Sequence, residues 1–142
     1  MKEAIYWLVT LKIINLAQLK GCSIHLGNGE LALVAVRFDP NVDLIVSLLA
    51  ILKAGFSYLP IAPDWPVERI EYLLEDSKPL AIITNKNDYK NDIIEVIPFE
   101  SFETSSYEDG NLRKEEMNRQ TSTDTYAVMY TSGSTGLPKG IY

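Results

Sequence analysis

Cysteine and histidine are almost missing from this chain: Cys22 and His25 are its only examples in 142 residues. One thiol cannot close an internal disulfide, and one thiol plus one imidazole falls short of the four ligands of a structural zinc site. No metal site is expected from its side chains. Neither residue has an activating neighbour in sequence, so Cys22 reads as an inert thiol and His25 as a surface or capping residue. A basic excess is missing too. The 13 Lys and Arg against 19 Asp and Glu give a net charge of -6, which repels nucleic-acid phosphates and anionic membrane surfaces. Nucleic acid and membrane are therefore not expected partners. No run reaches the ~20 apolar residues of a spanning helix. The apolar N-terminal stretch carries Glu3 where a secretory leader is basic and Lys12 inside its run. A cytoplasmic location is the simplest account.

What is present is a hydrophobic content of 46%, enough to fill the core of one domain. Ile5, Leu8, Val9, Ile13, Leu16 and Ala17 recur at three- and four-residue steps, predicting an amphipathic helix over 4–20 closed by Gly21. A turn at 27–30 leads into LALVAVRF, a valine-rich run suited to a buried strand. DPNVDLIVSLLAILKAG predicts a buried helix capped by Asp39, with Pro40 at its first position, Gly55 at its end and a surface apolar nearly all round. FSYLPI reads as a short strand. A further helix runs from about Pro66 to just before Pro79, with Val67, Ile70, Leu73 and Leu74 as its apolar stripe, and LAIIT follows as a strand. This alternation predicts an α/β fold of βαβ units with a mainly parallel sheet. Residues 100–123 lose the apolar period and read as an exposed connection, with a helical turn near Arg113–Met117. TYAVMYT, residues 125–131, is predicted to be a strand entering a glycine-rich loop.

That loop, YTSGSTGLPKG over 130–140, collects glycine, hydroxyl groups and one lysine. Gly133, Gly136 and Gly140 permit positive φ and close approach to a ligand, so that successive N–H groups can converge on an anion. Ser132, Ser134 and Thr135 add hydroxyl donors, Lys139 adds positive charge, and Pro138 stiffens the segment. Phosphate oxygens suit this set. It is not a Walker A loop, because Lys139 follows proline and Gly140 stands where Ser or Thr belongs. Ser/Thr/Gly clusters are often plain solvated turns, but eleven ordered positions including a lysine weaken that reading. Among other residues, Trp65 and Tyr58 lie among prolines and read as packing groups, and ERIEYLLED reads as the solvated face of one helix.

YTSGSTGLPKG resembles the phosphate-binding signature of the adenylate-forming enzymes: acyl-CoA synthetases, luciferases and the adenylation domains of nonribosomal peptide synthetases. LLAILKAGFSYLPIAPDWPVERIEYLLEDSKPLAIIT is similar to a second segment typical of the amino-acid-activating branch, and the two stand in the family's order across roughly residues 11–142. The resemblance implies that Thr131, Ser132, Gly133, Ser134, Thr135 and Gly136 wrap the β- and γ-phosphates of ATP. It implies that Lys139 is catalytic, drawing off pyrophosphate as a carboxylate attacks the α-phosphorus, with Mg²⁺ bridging phosphate oxygens. A small carboxylate or amino acid is the implied substrate, and a carrier domain bearing 4'-phosphopantetheine an implied partner. Residues 53–58 are implied to be scaffold. Ala62 departs from the family's usual aspartate, a local change.

By this resemblance, residues 1–142 are expected to be an N-terminal fragment, a partial N-terminal subdomain of the adenylate-forming fold, with the rest of the domain and the C-terminal lid absent. Three alternatives stay open: a catalytically inactive truncated product acting at most as a nucleotide-binding or interaction module, a β-alanyl amine synthase, or an acyl-CoA ligase. On its own the chain is expected to form no acyl-adenylate, because the family's reaction also needs an adenine and carboxylate site and a closing lid.

Overall fold

A computed structural model describes residues 33–53, 56–86, 89–101, 125–132 and 138–141. The predicted helix over 4–20, Gly21, Cys22, His25, the turn at 27–30, Gly55, the segment 113–117 and the loop residues 133–137 lie outside the described residues. Within them the chain runs β1 (Leu33–Arg37), α1 (Val42–Lys53), β2 (Ser57–Ile61), α2 (Val67–Ser77), β3 (Ala81–Thr84), β4 (Glu95–Pro98), a 3₁₀ turn (Phe99–Ser101), β5 (Met129–Ser132) and β6 (Pro138–Ile141). β1 to β4 form one parallel sheet in the order β2-β1-β3-β4, and β5 pairs antiparallel with β6. The predicted α/β class, with its mainly parallel sheet, is the fold observed.

Both faces of the sheet are covered, which explains the unbroken apolar runs of its central strands. Val34, Val36 and Ile83 turn to one face and pack with Val46, Ala50 and Ile51 of α1 and with Phe38, Phe56 and Phe99. The alternate residues Leu33, Ala35 and Ile82 turn to the other face, joining Leu59, Ile61, Ile70, Leu74 and Val128. The strand period of two thus assigns neighbouring residues of β1 and β3 to opposite layers. Trp65 and Tyr58 are partly buried packing groups, one against each cluster, as their sequence context predicts.

Four local expectations are corrected. The cap of α1 is Asn41 and not Asp39: Leu44 N donates to Asn41 Oδ1 at 3.0 Å, so the helix starts at Val42 and Pro40 precedes it. Asp39 instead pairs with Lys86 at the end of β3. α1 is not buried all round, because Val42, Ile45 and Leu49 are exposed and form a stripe. Val67 of α2 is likewise exposed, leaving Ile70, Leu73 and Leu74 as its buried residues. α2 ends at Lys78, whose left-handed backbone (φ 46°) lets its N–H reach Leu74 O just before Pro79.

The fourth correction concerns the strand predicted over 125–131, which divides between two partners. Tyr58 N donates to Tyr126 O and Val128 N donates to Tyr58 O, placing Ala127 parallel to β2. The next donor on that edge of β2 would be Pro60, which has no N–H. The ladder stops after one bridge, and from Met129 the chain pairs with β6.

Candidate functional site

The β5–β6 hairpin holds the residues on which the phosphate-loop expectation rests. Its register sets Met129 opposite Ile141, Tyr130 opposite Gly140, Thr131 opposite Lys139 and Ser132 opposite Pro138. Directly opposed residues share one face of a ladder with Cα atoms about 4.5 to 5.5 Å apart. Thr131 and Lys139 are both exposed, so a hydroxyl-bearing and an ammonium-bearing residue oppose each other across the ladder, residue types suited to an anion. Ser132 closes β5, and Pro138 opens β6 at the strand position that best tolerates proline. Of the predicted site residues, Thr131 and Lys139 are brought together and Ser132 adjoins them. Gly133, Ser134, Thr135 and Gly136 lie outside the described residues.

Gly140 has a different reason from the one its sequence context suggests. It lies in β6 opposite Tyr130 without a positive φ, and a Cβ built on it would stand 3.3 Å from Tyr130 Cζ and 3.5 Å from the phenol oxygen. The absent side chain makes room for an aromatic ring. Tyr130 in turn is partly buried against the second core cluster, and its hydroxyl donates to Asp76 Oδ2 at 2.5 Å. Tyr72 Oη donates to Pro138 O at 3.4 Å. The hairpin therefore lies along α2, touching it through one residue from each strand. Neither α2 contact was foreseen: the acidic ERIEYLLED stretch was expected to be only a solvated face, and Asp76 has a specific partner there.

The carboxyl ends of the parallel strands, where open α/β sheets place their ligands, are tied together locally. Thr84 Oγ1 donates to Arg37 O at 2.8 Å, Lys86 N donates to Thr84 Oγ1 at 3.0 Å, and Arg37 Nη2 donates to Pro63 O at 2.8 Å. The Arg37 guanidinium also lies 4.8 Å from the Tyr89 ring centre. A cleft of about 700 Å³ is elsewhere, on the other flank of α2 between Glu71, Glu75 and Lys78 and the segment around Lys90–Ile94. It includes none of the residues predicted to bind phosphate, and its mixture of charges favours no single ligand sign. The hairpin, which sets Thr131 opposite Lys139, is the better candidate. No helix among the described residues is long and apolar enough to cross a membrane.

Comparison with known proteins identifies the family and the fold. The family described as "AMP-binding enzyme" matches residues 23–142. Gramicidin S synthase 1 of Brevibacillus brevis is 36% identical over 127 residues, covering 87% of this chain and 11% of that protein. The β-alanyl-bioamine nonribosomal peptide synthetase ebony of Drosophila melanogaster is 39% identical over 119 residues, covering 77% and 13%. The N-terminal subdomain of NpsA from Klebsiella oxytoca superimposes with a TM-score of 0.74 at 17% identity, covering 96% of this chain and 33% of that one. The AMPPNP-bound nonribosomal peptide synthetase FmoA3 superimposes with a TM-score of 0.75 at 24% identity, covering 98% and 14%. The chain spans only about an eighth of the length of the two curated relatives, 11% and 13%.

Proposed function

The chain belongs to the AMP-binding enzyme family, and from that premise we propose that residues 131–139 hold the phosphates of ATP in a longer enzyme that activates a carboxylate. Thr131, Ser132, Gly133, Ser134, Thr135 and Gly136 surround the β- and γ-phosphates, through backbone N–H groups where glycine leaves the chain bare and through hydroxyls elsewhere. Lys139 supplies the positive charge. In the reaction a carboxylate oxygen bonds to the α-phosphorus, the bond from that phosphorus to the bridging oxygen breaks, and pyrophosphate leaves with the electron pair. Charge accumulates on the leaving group, so an ammonium beside it favours the transition state over bound ATP. Mg²⁺, where it accompanies the nucleotide, would supply further charge neutralisation of the same kind.

The observation that carries this reading is the register that sets Thr131 opposite Lys139, both exposed at the neck of the loop. FmoA3, a neighbour of the same fold, is known with AMPPNP bound, which supports a nucleoside triphosphate as ligand. The relatives are peptide synthetases, so an amino acid is the favoured substrate class and a carrier thiol bearing 4'-phosphopantetheine the favoured acceptor. Similarity to ebony keeps a β-amino acid and an amine acceptor within that class. Residues 1–142 are then the N-terminal part of an adenylation domain, the part that carries the phosphate-holding segment. Carboxylate-dependent exchange of pyrophosphate into ATP by the full-length protein and its Lys139→Ala variant tests the reading: slower exchange in the variant supports it, and equal exchange removes Lys139 from the site.

A further inference from the structure

We infer that Asp76 and Tyr72 of α2 are positioning residues for the phosphate loop, acting through Tyr130 and through the backbone of Pro138. The inference rests on the reading of residues 131–139 given above. Tyr130 precedes Thr131 in β5, and Pro138 precedes Lys139 in β6. Each strand is therefore held to α2 one residue from the group expected to meet phosphate: β5 by Tyr130 Oη donating to Asp76 Oδ2, and β6 by Tyr72 Oη donating to Pro138 O.

Three features make this pair of contacts a latch rather than a decoration. A two-stranded hairpin is marginal by itself in water, and β5 and β6 have four residues each, so their orientation must be set by what they rest on. α2 is a firm support because Ile70, Leu73 and Leu74 are buried under it. The Tyr130 ring is confined on its other side by the Gly140 backbone across the ladder, which leaves its hydroxyl aimed at α2. Constraint thus passes from the core to α2, from Asp76 and Tyr72 to Tyr130 and Pro138, and from these to Thr131 and Lys139. Asp76 is exposed, and exposed polar pairs contribute little to folding. Its loss should therefore displace the loop without unfolding the protein, and placement errors well below an ångström already weaken a preorganised site.

The test measures ATP and AMP affinity and Tm in the full-length protein carrying Tyr130→Phe, Asp76→Ala, Asp76→Asn or the Tyr130→Phe/Asp76→Ala pair, with Lys139→Ala as reference. Tyr130→Phe keeps the ring against Gly140 and removes only the hydroxyl. Tyr130→Phe and Asp76→Ala are each expected to weaken ATP binding about two- to fivefold, the most that an exposed polar pair can contribute through positioning, and the double variant no further. Asp76→Asn still presents an acceptor oxygen and should retain most of the affinity. AMP lacks the β- and γ-phosphates, so its affinity should hold, as should Tm. Unchanged ATP binding in both single variants, or equal losses for ATP and AMP, would overturn the inference. Slower pyrophosphate exchange in Lys139→Ala, with ATP binding unchanged in the single variants, would sink the latch and leave the loop reading standing; unchanged exchange in Lys139→Ala would sink both.

Discussion

Substitution at Gly140 separates packing from phosphate approach. In Gly140→Ala the new Cβ meets Tyr130 Cζ at 3.3 Å, the hydroxyl oxygen at 3.5 Å and Cε2 at 3.6 Å. Carbon pairs prefer about 3.5 to 4.0 Å, so the ring must yield by a few tenths of an ångström while its hydroxyl stays on Asp76. Against that cost stands the reduced freedom of the unfolded chain, a gain of about 0.4 to 1 kcal/mol on replacing Gly by Ala at a compatible φ. The two terms nearly cancel, and Gly140→Ala is expected to leave stability within about 0.5 kcal/mol of wild type. Gly140→Val adds two methyl groups where one atom is already tight, an overpacking cost of about 1 to 3 kcal/mol. Urea unfolding followed by circular dichroism measures both. Repeating Gly140→Val in a Tyr130→Ala background should recover most of the loss, because the obstructing ring is gone. An equal loss with and without the Tyr130 ring would refute the packing account of Gly140.

Asn41→Ala should destabilise the protein by about 1 kcal/mol through loss of the α1 cap, whereas Asp39→Ala should cost less than half of that because its pair with Lys86 is surface-exposed; urea midpoints compare them. Leu59→Ala removes a fully buried side chain from the second core cluster and should cost about 2 to 5 kcal/mol, read as a fall in Tm. Gly133→Val or Gly136→Val should weaken ATP binding more than Ser134→Ala, since a side chain obstructs backbone N–H groups whereas one hydroxyl is one donor among several. Isothermal titration of the three variants checks this, and equal losses would mean that side chains hold the phosphates.

The alternation of strands and helices was legible because each of β1 to β3 carries a dense apolar run flanked by turn residues. β4 was not, since EVIP offers two half-buried residues between an exposed glutamate and a proline, too short a run to separate from loop. β6 was hidden for a related reason: PKGI begins with proline and contains glycine, and only its pairing with β5 makes it a strand. The Asp39 cap is replaced by Asn41, while Asp39 pairs with Lys86, 47 residues away, a contact that no local pattern marks. At the site, the composition of the loop and its lysine were readable directly. The partners that hold its base were not, because Tyr130 and Asp76 meet across 54 residues and no periodicity marks such a contact.

In the proposed reaction Lys139, set opposite Thr131 by the β5–β6 register, stabilises departing pyrophosphate. Carboxylate-dependent exchange of labelled pyrophosphate into ATP, measured on the full-length protein and its Lys139→Ala variant, tests it most directly. The variant is predicted to lose about 2 to 4 kcal/mol of transition-state stabilisation, a fall in exchange rate of about 30- to 1,000-fold, with Tm unchanged because the side chain is exposed. Exchange at the wild-type rate in a folded Lys139→Ala protein would contradict the claim.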